Sequence, residues 1–290
     1  MRLIFSRIGL LTFAYILAST TVMFSQTQQS GIEKQGNLRR HNIQERVRRN
    51  LADDENGIRR LFTMGNEAVP SLIKFLSDAD EEKRGGAARG LAYIGNQQGM
   101  QALRNAVKAE KDKETESAMS CFLAGGLVET KSESDLDFLR NTIERAQIVA
   151  DDDEAAFSAV CAALALGMRG GGDSLAELRK VAKVDVLGVE EIGKAIQWAE
   201  SKSTPRQTPT EQSLSDEELI KKIVLDGTFF AQEERSKTSV EELTFNRQRN
   251  RALVSLEIYN GPKDARGYDL VLAKESSAWR VVGIWFAWVA

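Results

Sequence analysis

From about residue 50 to residue 200 the apolar positions fall into two alternating kinds of run. The first kind is small and apolar and ends on glycine: Ile58–Gly65, Ala87–Gly95, Ser120–Gly126 and Cys161–Gly167, with terminal glycines 30, 31 and 41 residues apart. Glycine suits a helix end because the position after the last turn takes positive φ. The second kind follows each glycine and is amphipathic. It carries one recurrent word: Leu103-Arg104-Asn105, Leu139-Arg140-Asn141 and Leu178-Arg179-Lys180, with Leu72-Ile73-Lys74 as a looser first copy. Apolar residues at i, i+3 and i+4 turn one face of each such helix inward.

Acidic stretches precede the later first runs: Asp78–Glu82, Lys111–Glu114 and Asp151–Glu154. Acids at a helix start satisfy free N–H groups and suit the helix dipole. The repeating unit is therefore two antiparallel helices joined by a tight glycine turn. One such hairpin cannot bury its apolar face alone, so neighbours must stack into a continuous core.

This pattern resembles the HEAT-like repeats first noted in phycobilisome lyases. The match is best over Glu67–Asp78, with Pro70 in the first turn of the second helix, and continues through Lys83-Arg84-Gly85-Gly86-Ala87-Ala88. The resemblance implies an all-α HEAT-like α-solenoid of about four helix pairs over residues 38–200, capped by a helix near Leu38–Leu51 and a half-repeat at Val189–Glu200. It also implies that the second helices line the concave face. Arg104, Arg140 and Arg179 would then form a ladder, open either to an acidic protein partner or to acids of the neighbouring repeat. The family points to many unrelated functions.

After residue 200 the periodicity changes. Residues 201–213 hold Pro205, Pro209 and several threonines and read as a linker. Ser215 with Glu218 three residues on is a capping box opening a helix that runs towards Phe229 and Phe230. Alternating runs follow at Val240–Phe245, Arg251–Tyr259 and Gly267–Lys274. Trp279–Val289, apolar on both faces, reads as a strand that is central or covered on both sides. One helix and an antiparallel meander over 214–290 resemble the cystatin-like α+β roll of the nuclear-transport-factor type. That resemblance implies a pocket lined by Phe229, Phe230, Trp285 and Trp288, with plain core packing as the alternative. The chain is thus expected to be multidomain, a solenoid followed by a small α+β domain.

The first 25 residues read as a signal peptide or signal anchor: Arg2 and Arg7 precede an uncharged run from Ile8 to Phe24, slightly short for a membrane span. The expected location is periplasmic or secreted, with anchoring in the inner membrane by an uncleaved segment as the alternative. Net charge is −3, and loss of the two signal arginines makes it −5, so nothing suggests nucleic acid. Cys121 and Cys161, each inside a small-residue helix, read as buried apolar side chains, with a cross-link open to an exported chain.

Candidate chemistry is sparse. The one histidine, His41, lies far from any cysteine or acidic cluster. Gly170-Gly171-Gly172 lacks the lysine-serine pair of a phosphate loop, and Asp151–Glu154 lacks the spacing of a calcium loop. Arg46, Arg48, Arg49, Arg59 and Arg60 read as the solvated side of two helices. No catalytic residue, metal or cofactor is assigned. The expected function is a non-enzymatic protein-protein interaction scaffold of the bacterial envelope or exterior. The alternatives are small-ligand binding by the C-terminal roll and a lyase-like or enzyme-associated factor.

Overall fold

In a computed structural model the described residues are 33, 35–53, 55–148, 153–181, 193, 195–197, 199–200, 214–226, 237–261, 264–276 and 278–289. The chain divides into two units, Met1–Arg48 and Arg49–Ala290. In the first unit, residues 35–48 are helical and include His41. Residues 1–32, the 201–213 segment, Asp151, Asp152, Phe229 and Phe230 lie outside the described residues.

The second unit opens with four successive helix pairs: α1 Glu55–Met64 with α2 Val69–Phe75, α3 Glu81–Ile94 with α4 Gln97–Ala109, α5 Lys113–Gly125 with α6 Glu133–Ile148, and α7 Asp153–Arg169 with α8 Gly172–Val181. The first helices contact one another in sequence, α1 with α3, α3 with α5 and α5 with α7. Side-chain caps start helices of both sets: Asp80 of α3 accepts from Glu82 N and Lys83 N, Asn96 of α4 from Gln98 N and Gly99 N, and Asp112 of α5 from Thr115 N. Arg84 of α3 holds the end of α4 and the connection entering α3, reaching Glu110 at 2.7 and 3.2 Å and the carbonyls of Asp78 and Ala79 at 3.0 and 3.2 Å.

The glycines at the ends of the first helices do different jobs. Gly65 and Gly95 take positive φ, 59° and 63°, and end their helices. Gly126 has φ −79°, and α7 continues past Gly167 to Arg169 before turning at Gly170 and Gly171. The expected turn at Gly167 is thus displaced by three residues. Gly125 and Gly167 instead admit close neighbours: a Cβ on Gly125 would collide with Ile284 O and the Trp285 indole, and one on Gly167 would lie 2.6 Å from Ala195 Cα.

The small and apolar composition of the first helices has a physical cause. Ala87, Ala88, Leu91, Ala92, Tyr93 and Ile94 of α3 are buried, as is every residue of α7 from Ser158 to Met168. A helix apolar all round is a buried helix. The α4 helix is one-sided, burying Met100, Leu103 and Val107.

The buried cysteines are joined: Cys121 of α5 and Cys161 of α7 form a disulfide with Cα atoms 5.1 Å apart. The reading as two separate apolar thiols is therefore corrected. Stacking brings consecutive first helices side by side, which sequence separation alone does not disclose.

The rest is α9 Asp216–Asp226 and four strands, β1 Thr238–Phe245, β2 Arg251–Gly261, β3 Asp264–Glu275 and β4 Ala278–Val289. They form one antiparallel sheet in the order β1-β2-β3-β4. The capping box is present, with Ser215 N donating to Glu218 Oε2 at 2.8 Å and Glu218 N to Ser215 Oγ at 3.3 Å. The β4 strand is an edge strand, not a central one. It is nonetheless covered, because α5 and α7 contact it from the helical part and α9 also packs on it.

Candidate functional site

The contact between helices and sheet is built from the first helices. Arg59 of α1 is only 5% exposed. Its Nη1 donates to Thr244 Oγ1 at 3.1 Å, its Nη2 donates to Ser255 Oγ, and its Nε lies 2.8 Å from the Glu242 carboxylate. Ser255 in turn donates to Asp269 on β3. From α3, Arg89 donates to Asp269 Oδ2 at 2.9 Å and to Tyr93 Oη at 2.8 Å. Tyr93 completes the set, donating to Asp269 at 2.5 Å. Burial, and then the Asp269 charge, push the Tyr93 phenol well above its ordinary 10.0, so it stays protonated as a donor.

Asp269 is 2% exposed and accepts from three side chains, so both its oxygens are occupied. The cluster is a polar lock between helices and sheet, hydrogen-bonded at every member, with only the Arg59 Nε held by the Glu242 charge instead of a hydrogen bond. It corrects the reading of Arg59 as part of a solvated basic face. The signal was present: Arg59 and Arg89 each stand six residues before a helix-ending glycine, charged residues in otherwise small and apolar runs.

Trp285, expected in a pocket wall, is packed instead. Its Nε1 donates to the Phe122 carbonyl at 2.9 Å, and its ring lies 4.7 Å from that of Tyr93. Gly125 and Gly283 leave the space it fills. Trp288 pairs with Gly267 in the sheet. At the other end of β4, Trp279 Nε1 and Lys274 Nζ both donate to Asp216 at the start of α9, at 2.9 and 2.7 Å. Those two hydrogen bonds hold the Asp216 carboxyl below its ordinary range.

The three repeat arginines have three different environments. Arg104 on α4 makes a two-pronged contact with Asp135, 2.6 Å for both Nε and Nη2, and Thr130 Oγ1 donates to the same carboxylate at 2.7 Å. Burial alone would raise the Asp135 carboxyl, but the hydrogen bonds from Arg104 and Thr130 outweigh it and hold the group below 3.8. Arg140 pairs along its own helix with Glu133 at 2.7 Å and Asp137 at 2.9 Å. Arg179 pairs with Glu200 at 2.7 Å, and both side chains are largely in solvent. The shared word thus places the arginines on successive second helices but gives them no common partner.

Among the described residues no group of acids, histidines or cysteines is arranged to hold a metal ion. No helix among them is long and apolar enough to cross a membrane. Compared with protein-family models, with curated proteins and with solved structures, the chain matches none of them.

Proposed function

We propose that the helical part is a HEAT-like α-solenoid and that the chain is an exported, non-enzymatic scaffold. A protein partner with an acidic surface docks on its second helices. The C-terminal helix and sheet, read as a cystatin-like roll, brace the other side.

The observation that carries this reading is the different use of the two helix sets. The first helices hold the sheet through Arg59, Arg89, Tyr93 and the Phe122 carbonyl. The second helices pair their arginines with acids that stand in solvent: half-buried Arg140 with Glu133 and Asp137, and exposed Arg179 with Glu200. Their ion pairs involve exposed acids, and such pairs contribute little to stability. They can be exchanged for a partner's carboxylates at small cost. Arg104, held by buried Asp135, cannot. The disulfide supports an oxidising compartment, since such bonds persist mainly outside the cytosol. Small-ligand binding within the roll draws no support from Trp285, which is packed.

The test is co-purification from an envelope fraction with the wild-type chain and with the double variant Arg140→Glu/Arg179→Glu. The expected result is a protein recovered specifically with wild type and lost with the variant, while both melt at the same temperature. Equal recovery with both chains would remove the second-helix face from the reading.

A further inference from the structure

Two arginine Nε atoms in the described part of the chain are buried without a hydrogen bond, those of Arg59 and Arg251. They differ in what faces them. Arg59 has the Glu242 carboxylate at 2.8 Å. Arg251, at the start of β2, has one long hydrogen bond, from Nη2 to the Tyr93 carbonyl at 3.4 Å, and no ion pair among the described residues. Its guanidinium rests on the Gly95 turn, where a Cβ would lie 2.6 Å from Nη2 and 3.1 Å from Cζ. The carboxylate whose charge it feels, Glu129, is engaged by Arg280 at 2.5 Å. Arginine does not escape such a position by losing its proton, and a half-buried guanidinium with no carboxylate in contact among the described residues is poorly compensated.

Arg251 lies in the wall of a cleft of about 360 Å³ between the Gly65 turn, the Gly95 turn and the β1–β2 hairpin. The rest of the lining is rich in amides. Asn66 and Asn96 follow the two left-handed glycines, and stacking of the pairs joins them, Asn96 Nδ2 donating to Asn66 Oδ1 at 3.1 Å. That leaves Asn66 Nδ2 as a donor without an acceptor among the described residues. Asn250 is placed likewise: its Oδ1 accepts from Asn246 Nδ2 at 2.8 Å, leaving its own Nδ2 over. The acid of the cleft, Glu67, is paired with Arg247 at 3.1 Å. The cleft therefore has an excess of donors and one poorly compensated positive charge.

We propose that this cleft binds a small oxyanion, a carboxylate or a phosphate group, with Arg251 as counter-charge and Asn66 and Asn250 as neutral donors. An oxyanion is acceptor-only and fits a guanidinium fork, which is the complement this lining lacks. The inference does not rest on the scaffold reading, since its residues lie at the glycine turns and the hairpin.

The test uses the full chain labelled with ¹⁵N. Sodium phosphate is titrated in one series and sodium acetate in a second, with sodium chloride holding ionic strength constant. The Gly95 amide and the Arg251 Nε–H signals are followed. A saturable shift with phosphate alone, acetate alone or both is the expected result and identifies the group. Arg251→Gln is expected to abolish saturation at Gly95. Asn66→Asp, on an exposed side chain that leaves the fold alone, is expected to weaken binding about tenfold by putting a like charge on the rim. No saturable shift in the wild-type chain, or titrations unchanged by Asn66→Asp, would overturn the proposal even if Arg251→Gln does not fold.

Discussion

Trp279 and Trp285 stand six residues apart on β4, yet their indole N–H groups bond on opposite sides of the sheet, to Asp216 of α9 and to the Phe122 carbonyl of α5. Simple alternation would put both on one face. The pairing with β3 shifts register between Val271 and Leu272, so that Leu272 faces Val281 while Val271 faces Gly283. The extra residue of this bulge reverses the facing of the stretch from Gly283 to Phe286, up to a second register shift between Tyr268 and Gly267. One strand thereby anchors α9 at its start and the first helices at its end.

Trp285→Phe keeps a six-membered aromatic ring but loses the indole N–H that bonds the Phe122 carbonyl. It is expected to cost about 1 kcal/mol, against about 3–5 kcal/mol for Trp285→Ala, which also opens a cavity. Urea unfolding of the three chains checks both values. Equal losses in the two variants would mean that the hydrogen bond, and not the packing, dominates.

Gly125→Ala tests the close approach of β4. Within a helix this exchange ordinarily stabilises by up to about 1 kcal/mol. Here the new methyl meets Ile284 O and the Trp285 indole, so a loss of about 1–3 kcal/mol is expected. The sign of the change in melting temperature decides it.

The disulfide closes a loop of 40 residues between α5 and α7. Chain entropy gives it about 4 kcal/mol. Cys121→Ser/Cys161→Ser is expected to unfold at correspondingly lower denaturant, and the unfolded, unreduced wild-type chain to show no thiol towards a thiol reagent. Two reactive thiols would refute the bond.

Asp135 makes stability depend on pH. Its carboxyl is held below 3.8 in the folded chain by Arg104 and Thr130. A depressed folded value means that the contribution is complete above 3.8 and is lost as pH falls through the folded value. Asp135→Asn is expected to lower stability by about 1–3 kcal/mol at neutral pH and to flatten its decline below about pH 4. Melting temperatures of both chains across that range check the slope; parallel curves would assign the acid loss to other carboxylates, such as Asp216.

The sequence by itself determined the local elements. Glycine spacing, acidic caps and amphipathic runs marked four helix pairs, and the Ser215–Glu218 box and alternating runs marked α9 and the strands. These signals are local, since a cap or a periodic face is written within a few residues. Only the tertiary structure decided what met what. Stacking joined Cys121 to Cys161 across 40 residues and turned Arg59 from a surface residue into a buried partner of Ser255 and Glu242. It gave Arg104, Arg140 and Arg179 three unlike sets of partners despite one shared word. The bulge in β4 reversed the side on which Trp285 acts, because facing depends on register against a neighbouring strand. The Arg251 cleft is the clearest case: its turns, hairpin and amides come from three stretches of chain, and only their packing leaves a positive charge waiting for an anion.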